Sequence, residues 1–375
     1  MSTTKLFLHT PVPAPALNAP SGATVRVSVI DCAADFQVPI DLLMGPKQKG
    51  HDFITAPVFA FLIENGSRKI LFDLGCRKDW DQLPPVVYDK LVLPGWKIDI
   101  KKGIAEILQD GGIDVAGGAI ESMIWSHWHY DHIGDTSTFP GSTELVIARG
   151  VKDAFYPAYP GNPDSPLLES DFAGREVREI DFDTAPMKIG GYRAFDYFGD
   201  GSFYLLDAPG HAISNMCALA RVTNDGESSW VLMGGDVAHH GAEFRPTQYL
   251  PLPAGITPSP LKGFPSICPG HIFEAIHPEK RGDKPFYHVF GDVPHNHEDA
   301  ERSVETLEEF DASPDVFVVV AHDASLFHPE VGMKWFPEGS INDWKSKDLA
   351  RKARWGFLRD FEDAVGQSEQ IEAML

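Results

Sequence analysis

Ser126-His127-Trp128-His129-Tyr130-Asp131-His132-Ile133-Gly134-Asp135 places three imidazoles and a carboxylate within six positions, straight after an apolar run. Neutral imidazole nitrogen and carboxylate oxygen suit zinc, and a run this dense in them reads as a metal site for two metals. The rival reading is a histidine-rich solvated turn. Residues 119–125 read as a buried strand that gives way to a loop at the His/Asp group, and α/β folds put their chemistry at strand ends. In such a loop His127 and His129 can point the same way, whereas the adjacent Asp131 and His132 are expected to diverge. One pair then serves one metal and the second pair another.

Three further candidates end apolar strands downstream. His211 follows Phe203–Gly210, where Pro209 and Gly210 make a tight turn. Asp236 follows Trp230–Gly235, and His322 follows Val316–Ala321. Each repeats one design: apolar strand, small or turn-forming residue, potential ligand. Taken alone, His211 or His322 reads as a satisfied structural histidine and Asp236 as a helix cap. Their order behind the first motif changes that.

In that order the residues resemble the metallo-β-lactamase superfamily, whose signature HxHxDH, then His, then Asp, then His is matched at every position from His127 to His322. Upstream, Lys69–Gly75 looks like the family's strand with a buried Asp. The resemblance implies that His127, His129 and His211 hold a first metal, that Asp131, His132 and His322 hold a second, and that Asp236 bridges them. It also implies two Zn2+ per chain and makes Asp73 a carboxylate that orients a ligating imidazole. A strand-end Asp capping a turn is the other reading of Asp73. Asp236 stands where one class of true β-lactamases has Cys, and His129 where diiron flavoproteins have Glu, which argues against both.

The ending Val320-Ala321-His322-Asp323 resembles the N-acyl homoserine lactonase-like subgroup. His239 stands where those enzymes have a substrate-binding Tyr, so it joins Asp131 as a candidate catalytic residue; a solvated His239-His240 pair is the alternative. Asp131 is the candidate for passing a proton to the leaving group. The run 207–214 lacks the Thr-Pro-Gly or Thr-x-Gly that commonly follows such a His, which weakens a glyoxalase II assignment. The function implied is a dinuclear zinc hydrolase opening a small, largely apolar lactone or cyclic amide or carbamate, and fungal relatives that open benzoxazolinone-type rings support the lactam branch. A thioesterase of the glyoxalase II type and an iron-dependent persulfide dioxygenase are the alternatives.

The interval from Asp236 to His322 is long and holds an insertion near 244–295. Its first part is rich in proline and apolar residues from Phe244 to Pro269. Prolines lower the cost of ordering such a loop, so it reads as a fixed wall of the pocket, with a surface excursion that makes no contact to substrate as the alternative.

Composition sets outer bounds. Lys+Arg number 32 against 54 Asp+Glu, a formal charge of -22. Polyanions are repelled by such a surface, so no nucleic-acid partner is expected, only a small-molecule substrate. Four scattered cysteines without CxxC spacing suit reduced thiols in a cytoplasmic protein. No apolar window reaches membrane-spanning length and no signal peptide is read. A homodimer is left open.

The fold class expected is α/β (α+β): an αββα sandwich of two mixed β-sheets with outer helices. An N-terminal extension over 1–20 precedes a domain over 21–340, and a helical extension over 341–375 packs back on it. Strands are expected over 24–31 and on both sides of Asn65-Gly66, a hairpin signal. Helices are expected over 102–110 and 298–310.

Overall fold

A computed structural model of the chain describes residues 6–185, 187–224 and 228–366. The outermost parts of both expected extensions, 1–5 and 367–375, lie outside them. Strands β1 (Arg26–Asp31), β2 (Phe59–Asn65), β3 (Arg68–Phe72), β4 (Ser122–Ile124), β5 (Glu144–Ala148) and β6 (Val177–Ile180) lie side by side in that order. β1 to β3 are antiparallel and β3 to β6 parallel. The second sheet runs β7 (Met187–Ile189), β8 (Tyr192–Asp196), β9 (Phe203–Asp207), β10 (Met216–Thr223), β11 (Ser229–Met233) and β12 (Val316–Val319). Its pairs are antiparallel except for β11 with β12.

The two-residue side-chain period of a strand decides what each face meets. Phe59, Phe61 and Ile63 of β2 enter the core between the sheets, with Phe72, Ile124 and Val146 from the first sheet and Leu205, Ala218, Val231 and Val319 from the second. Ala60 and Leu62 face the other way, onto α2 (Ile104–Asp110) through Ile104, Ala105 and Leu108. The outer face of the second sheet, including Tyr204, Leu206, Leu232 and Val318, meets Val304, Leu307 and Phe310 of α4 (His297–Ala312). Burial on both faces makes these strands read as continuous apolar runs.

Local signals place the boundaries. The Asn65-Gly66 hairpin forms, with Gly66 at φ 60° and Asn65 opposite Arg68. α2 begins two residues later than expected because the Glu106 carboxylate accepts the Gly103 N–H at 2.9 Å. α4 begins at His297 because Asn296 caps it, accepting from Asp299 N at 3.1 Å. Toward the C-terminus, Trp344 packs on Phe317 of β12, and α5 (Leu349–Arg354) buries Leu349 and Ala353 in the central core.

Candidate metal centre and substrate cavity

Every expected ligand leaves the end of a strand at the same edge of the sandwich. His127 and His129 follow β4, and Asp131 and His132 sit on the single turn α3 (Tyr130–Ile133). Backbone bonds pin this loop: Leu74 N–H donates to the His132 carbonyl at 2.8 Å and Met216 N–H to the Ser126 carbonyl at 2.8 Å. Gly210, ahead of His211, has φ 123° and lies so close to α4 that a Cβ would stand 2.0 Å from Ala300 N. Gly235, ahead of Asp236, has φ 50°, and a Cβ there would stand 3.1 Å from the Ser126 side chain.

The donor atoms converge into two groups. His127, His129, His211 and Asp236 form one; Asp131, His132, Asp236 and His322 form the other. Asp236 divides its oxygens between them. Oδ2 lies 3.8 Å from His127 Nε2 and 3.6 Å from His211 Nε2, while Oδ1 lies 3.1 Å from both His132 Nε2 and His322 Nε2. Asp131 Oδ2 completes the second group at 3.7 Å from His132 Nε2 and 3.5 Å from His322 Nε2. A tetrahedron of ~2.1 Å metal–ligand bonds has edges of roughly 3.4 Å, so this spacing suits zinc. His127 Nε2, His132 Nε2 and Asp236 Oδ1 are buried without a hydrogen-bond partner, an arrangement that a cation in their midst would satisfy. The expected divergence of Asp131 and His132 does not occur. The helical turn leaves the short carboxylate near the long imidazole's tip, and both enter one group.

Other groups hold the rings from behind. Asp73, whose φ is 62°, accepts the Ser126 N–H at 2.7 Å with Oδ1 and bonds His132 Nδ1 at 2.8 Å with Oδ2. His322 Nδ1 donates to the Pro57 carbonyl at 2.8 Å, and Ser126 Oγ meets His127 Nδ1 at 3.0 Å. Each bond leaves Nε2 facing inward. Burial pushes His129 down to about 3 and, with neighbouring imidazoles, holds His127 and His211 well below the ordinary histidine value. These three are therefore neutral, the form that ligates. At His132 and His322 burial acts the same way, but the surrounding carboxylates together outweigh it and raise both: Asp236 and Asp131 at each, with Asp73 as well at His132.

His239 and His240 part company. His239 lines the cavity in front of the donor groups, with Nε2 3.5 Å from Asp236 Oδ2 and neither ring nitrogen hydrogen-bonded. His240 turns into a second, polar cavity of about 320 Å³, where His51 and Asp360 join it. His240 Nδ1 accepts the Ala242 N–H at 3.2 Å, so the neutral ring carries its proton on Nε2 and gives it to Asp360 at 3.1 Å. That tautomer commits the Nε2 edge of His240 to Asp360, while His51 Nδ1 bonds the Tyr287 hydroxyl at 2.7 Å. Both His239 and His240 are buried, so the solvated pair is not what forms.

The main cavity encloses about 550 Å³, with the donor groups at its base. Its apolar walls are Phe36, Val38, Leu42, Leu43, Ile54 and Ala56 on one side and Val87, Leu91, Leu93 and Trp96 on another. The first set belongs to segment 36–56, most of it on the three-stranded sheet of Ala34–Pro39, Phe53–Ala56 and Lys97–Ile100; the second follows from α1 (Pro85–Leu91). This corrects the expected wall. From the whole span 244–295 only Asp292 and Val293 reach the cavity. Leu252, Ile256, Leu261, Phe273 and Phe286 instead pack behind Leu43, Ile54 and Ala56. The proline-rich stretch is a buttress for the wall, and composition does not say which side of an apolar layer a loop occupies. Sequence reading also missed α1, whose separation from the motif hides it, and Glu243, whose carboxylate accepts the His239 and His240 N–H groups.

Known proteins resemble this chain in sequence and in fold. Residues 55–218 match the sequence profile of the metallo-beta-lactamase superfamily. The chain is 41% identical to gamma-lactamase FDB1 of Fusarium pseudograminearum, over 97% of this chain and 90% of that protein. It is 43% identical to cytochrome P450 monooxygenase mpaDE' of Penicillium brevicompactum over 94% of this chain, and spans 39% of that longer protein. The crystal structure of B. thuringiensis AiiA with N-decanoyl-L-homoserine bound at its active site has the same fold, with a TM-score of 0.54 at 16% identity over 84% of this chain and 100% of that one. With its sandwich, its strand-end donors and a relative of that identity along nearly its whole length, the chain belongs to the metallo-β-lactamase superfamily of metal-dependent hydrolases.

Proposed function

We propose that the chain is a dinuclear zinc hydrolase that opens a small, largely apolar lactone or cyclic amide or carbamate. The observation that carries this reading is Asp236, which turns one oxygen to each donor group at the base of an apolar cavity. His127, His129 and His211 would hold one zinc, Asp131, His132 and His322 the other, and Asp236 both. Two zinc ions so held would supply a hydroxide nucleophile at neutral pH and a Lewis acid for the carbonyl.

The chain's own residues do the rest. Phe36, Leu42, Leu91 and Trp96 enclose the ring and exclude water, which strengthens every polar contact at the base. His239 offers its ring edge to the substrate carbonyl or the leaving atom. As a hydroxide formed a bond to the carbonyl carbon and the ring C–O or C–N bond broke, the Asp131 carboxylate would pass the water's remaining proton to the leaving oxygen or nitrogen. The product is an open-chain hydroxy or amino acid.

The 41% identical relative is named a gamma-lactamase, which supports the cyclic-amide branch, while the more distant AttM relative is named an N-acyl homoserine lactonase. Thioesters on large anionic carriers fit less well, because Lys90 is the sole Lys or Arg among the described residues lining the cavity. A mononuclear iron oxygenase has no use for the second donor group. Elemental analysis of protein purified without added metal, beside a panel of a γ-lactone, a benzoxazolinone-type carbamate and a thioester, tests the reading. Two zincs per chain with ring opening support it; one iron per chain without hydrolysis overturns it.

A further inference from the structure

Glu243 is buried, at 3% exposure, and among the described residues it has no ion pair with Lys or Arg. Its Oε2 accepts two backbone N–H groups, that of His239 at 2.6 Å and that of His240 at 3.0 Å. The same oxygen lies 3.7 Å from His239 Nδ1, the nearest potentially cationic atom to it. Burying a carboxylate without a cation is unfavourable, and closing a single 3-10 turn over Gly241–Glu243 does not require a charge. The turn has a second consequence. By gripping both amides, Glu243 fixes the dipeptide so that consecutive side chains enter opposite cavities, His239 toward the donor groups and His240 toward Asp360.

Among the described residues no hydrogen bond holds the imidazole of His239. Both ring nitrogens are buried and without a hydrogen-bond partner, and the ring stands between carboxylates, Asp236 3.5 Å from Nε2 and Glu243 3.7 Å from Nδ1. We propose that Glu243 is a positioning residue for the hydrolytic reaction: it fixes the His239 backbone and draws the Nδ1 edge of the ring toward itself, so that the Nε2 edge faces the substrate carbonyl above the donor groups. This rests on the substrate-contact role given to His239 above.

The test uses Glu243→Gln, which keeps an oxygen for the two amides and removes the charge. Its crystal structure is expected to show the His239 ring turned away from Asp236, with the 239–243 backbone in place; a ring that stays where it is overturns the proposal without reference to activity. With two metals retained, Glu243→Gln is expected to lower kcat about ten-fold, as loss of an orienting partner does, and to change KM less than two-fold. In a His239→Asn background the same change is expected to cost nothing further, because its target is gone. Equal losses in both backgrounds, or loss of metal, overturn the proposal. If His239→Asn alone leaves turnover intact, it is the role of His239 that fails, a result distinct from unequal effects of Glu243→Gln.

Discussion

Asp73 uses both oxygens for other residues, and neither faces a donor group. One takes the Ser126 amide at the root of the His127 loop, the other the Nδ1 of His132, so a single carboxylate sets the loop's origin and the aim of its last imidazole. Asp73→Ala is expected to weaken the second metal's affinity ten- to a hundred-fold while the His127, His129 and His211 group keeps its own. Competition against a chelator measures this, and two metals released together at wild-type affinity would count against it. Asp131→Asn separates holding from proton transfer. It leaves an oxygen for the metal but nothing to carry a proton, so turnover is expected to fall about a hundred-fold or more with both metals bound; turnover that survives removes Asp131 from that role. The candidate ligands were legible in the sequence because His211, Asp236 and His322 each follow an apolar strand and a small or turn-forming residue, while the other four crowd into six positions just after another strand. Pro57 and Glu243 were not: one acts through a carbonyl that every residue owns, and the other is one Glu among many acids until the turn brings it under His239.

At the scale of elements, strands and hairpins followed their apolar runs, and the cavity wall did not. The alternation in Phe53–Ala56 is short and its outward residues are exposed, so it looks like any edge strand, yet Ile54 and Ala56 line the cavity. α4 shows a different element-level consequence. It carries Glu301, Glu305, Glu308 and Glu309 on a helix pressed to the second sheet, and burial first, then these acidic neighbours, push Glu308 up to about 8. A carboxyl whose folded value is raised binds its proton more tightly in the folded state, so its contribution is fully present below the unfolded value and is lost as pH rises toward 8. Glu308→Gln is neutral at every pH. It is expected to be stabilising by ~1–2 kcal/mol at pH 9, less than the whole shift implies because water reaches part of the side chain, and indistinguishable from wild type at pH 4. Denaturant unfolding at both pH values checks it; a gain that is equal at pH 4 and pH 9 would show that packing, not ionisation, is responsible.

Across the whole molecule, segments remote in sequence are stitched together behind the substrate wall by one buried pair. Arg245, at the start of the proline-rich buttress, donates from Nε at 2.8 Å and Nη2 at 2.6 Å to the two oxygens of Asp311 on α4. Its Nη1 donates to the Arg354 carbonyl at the end of α5 at 3.0 Å, and Arg354 Nη2 returns a bond to the Asp311 carbonyl at 2.9 Å. Arg245 and Asp311 are each 3% exposed or less, so neither charge can fall back on water if the other is removed. Only Arg354, 3.8 Å away, would remain near the carboxylate. Arg245→Ala is therefore expected to destabilise the fold by about 3 kcal/mol, the cost of a buried charge left with only the more distant Arg354 rather than of one lost contact. Removing both charges together is a different experiment, because the desolvation of the pair goes with them. Arg245→Met with Asp311→Leu is expected to recover most of that loss and to lie within about 1 kcal/mol of the parent chain. Urea unfolding of the single and double variants decides between these accounts. A double variant as unstable as the single would mean that the Arg245 bond to the Arg354 carbonyl, and hence the docking of α5, carries the stability. The buttress would then be held by the end of the chain more than by α4.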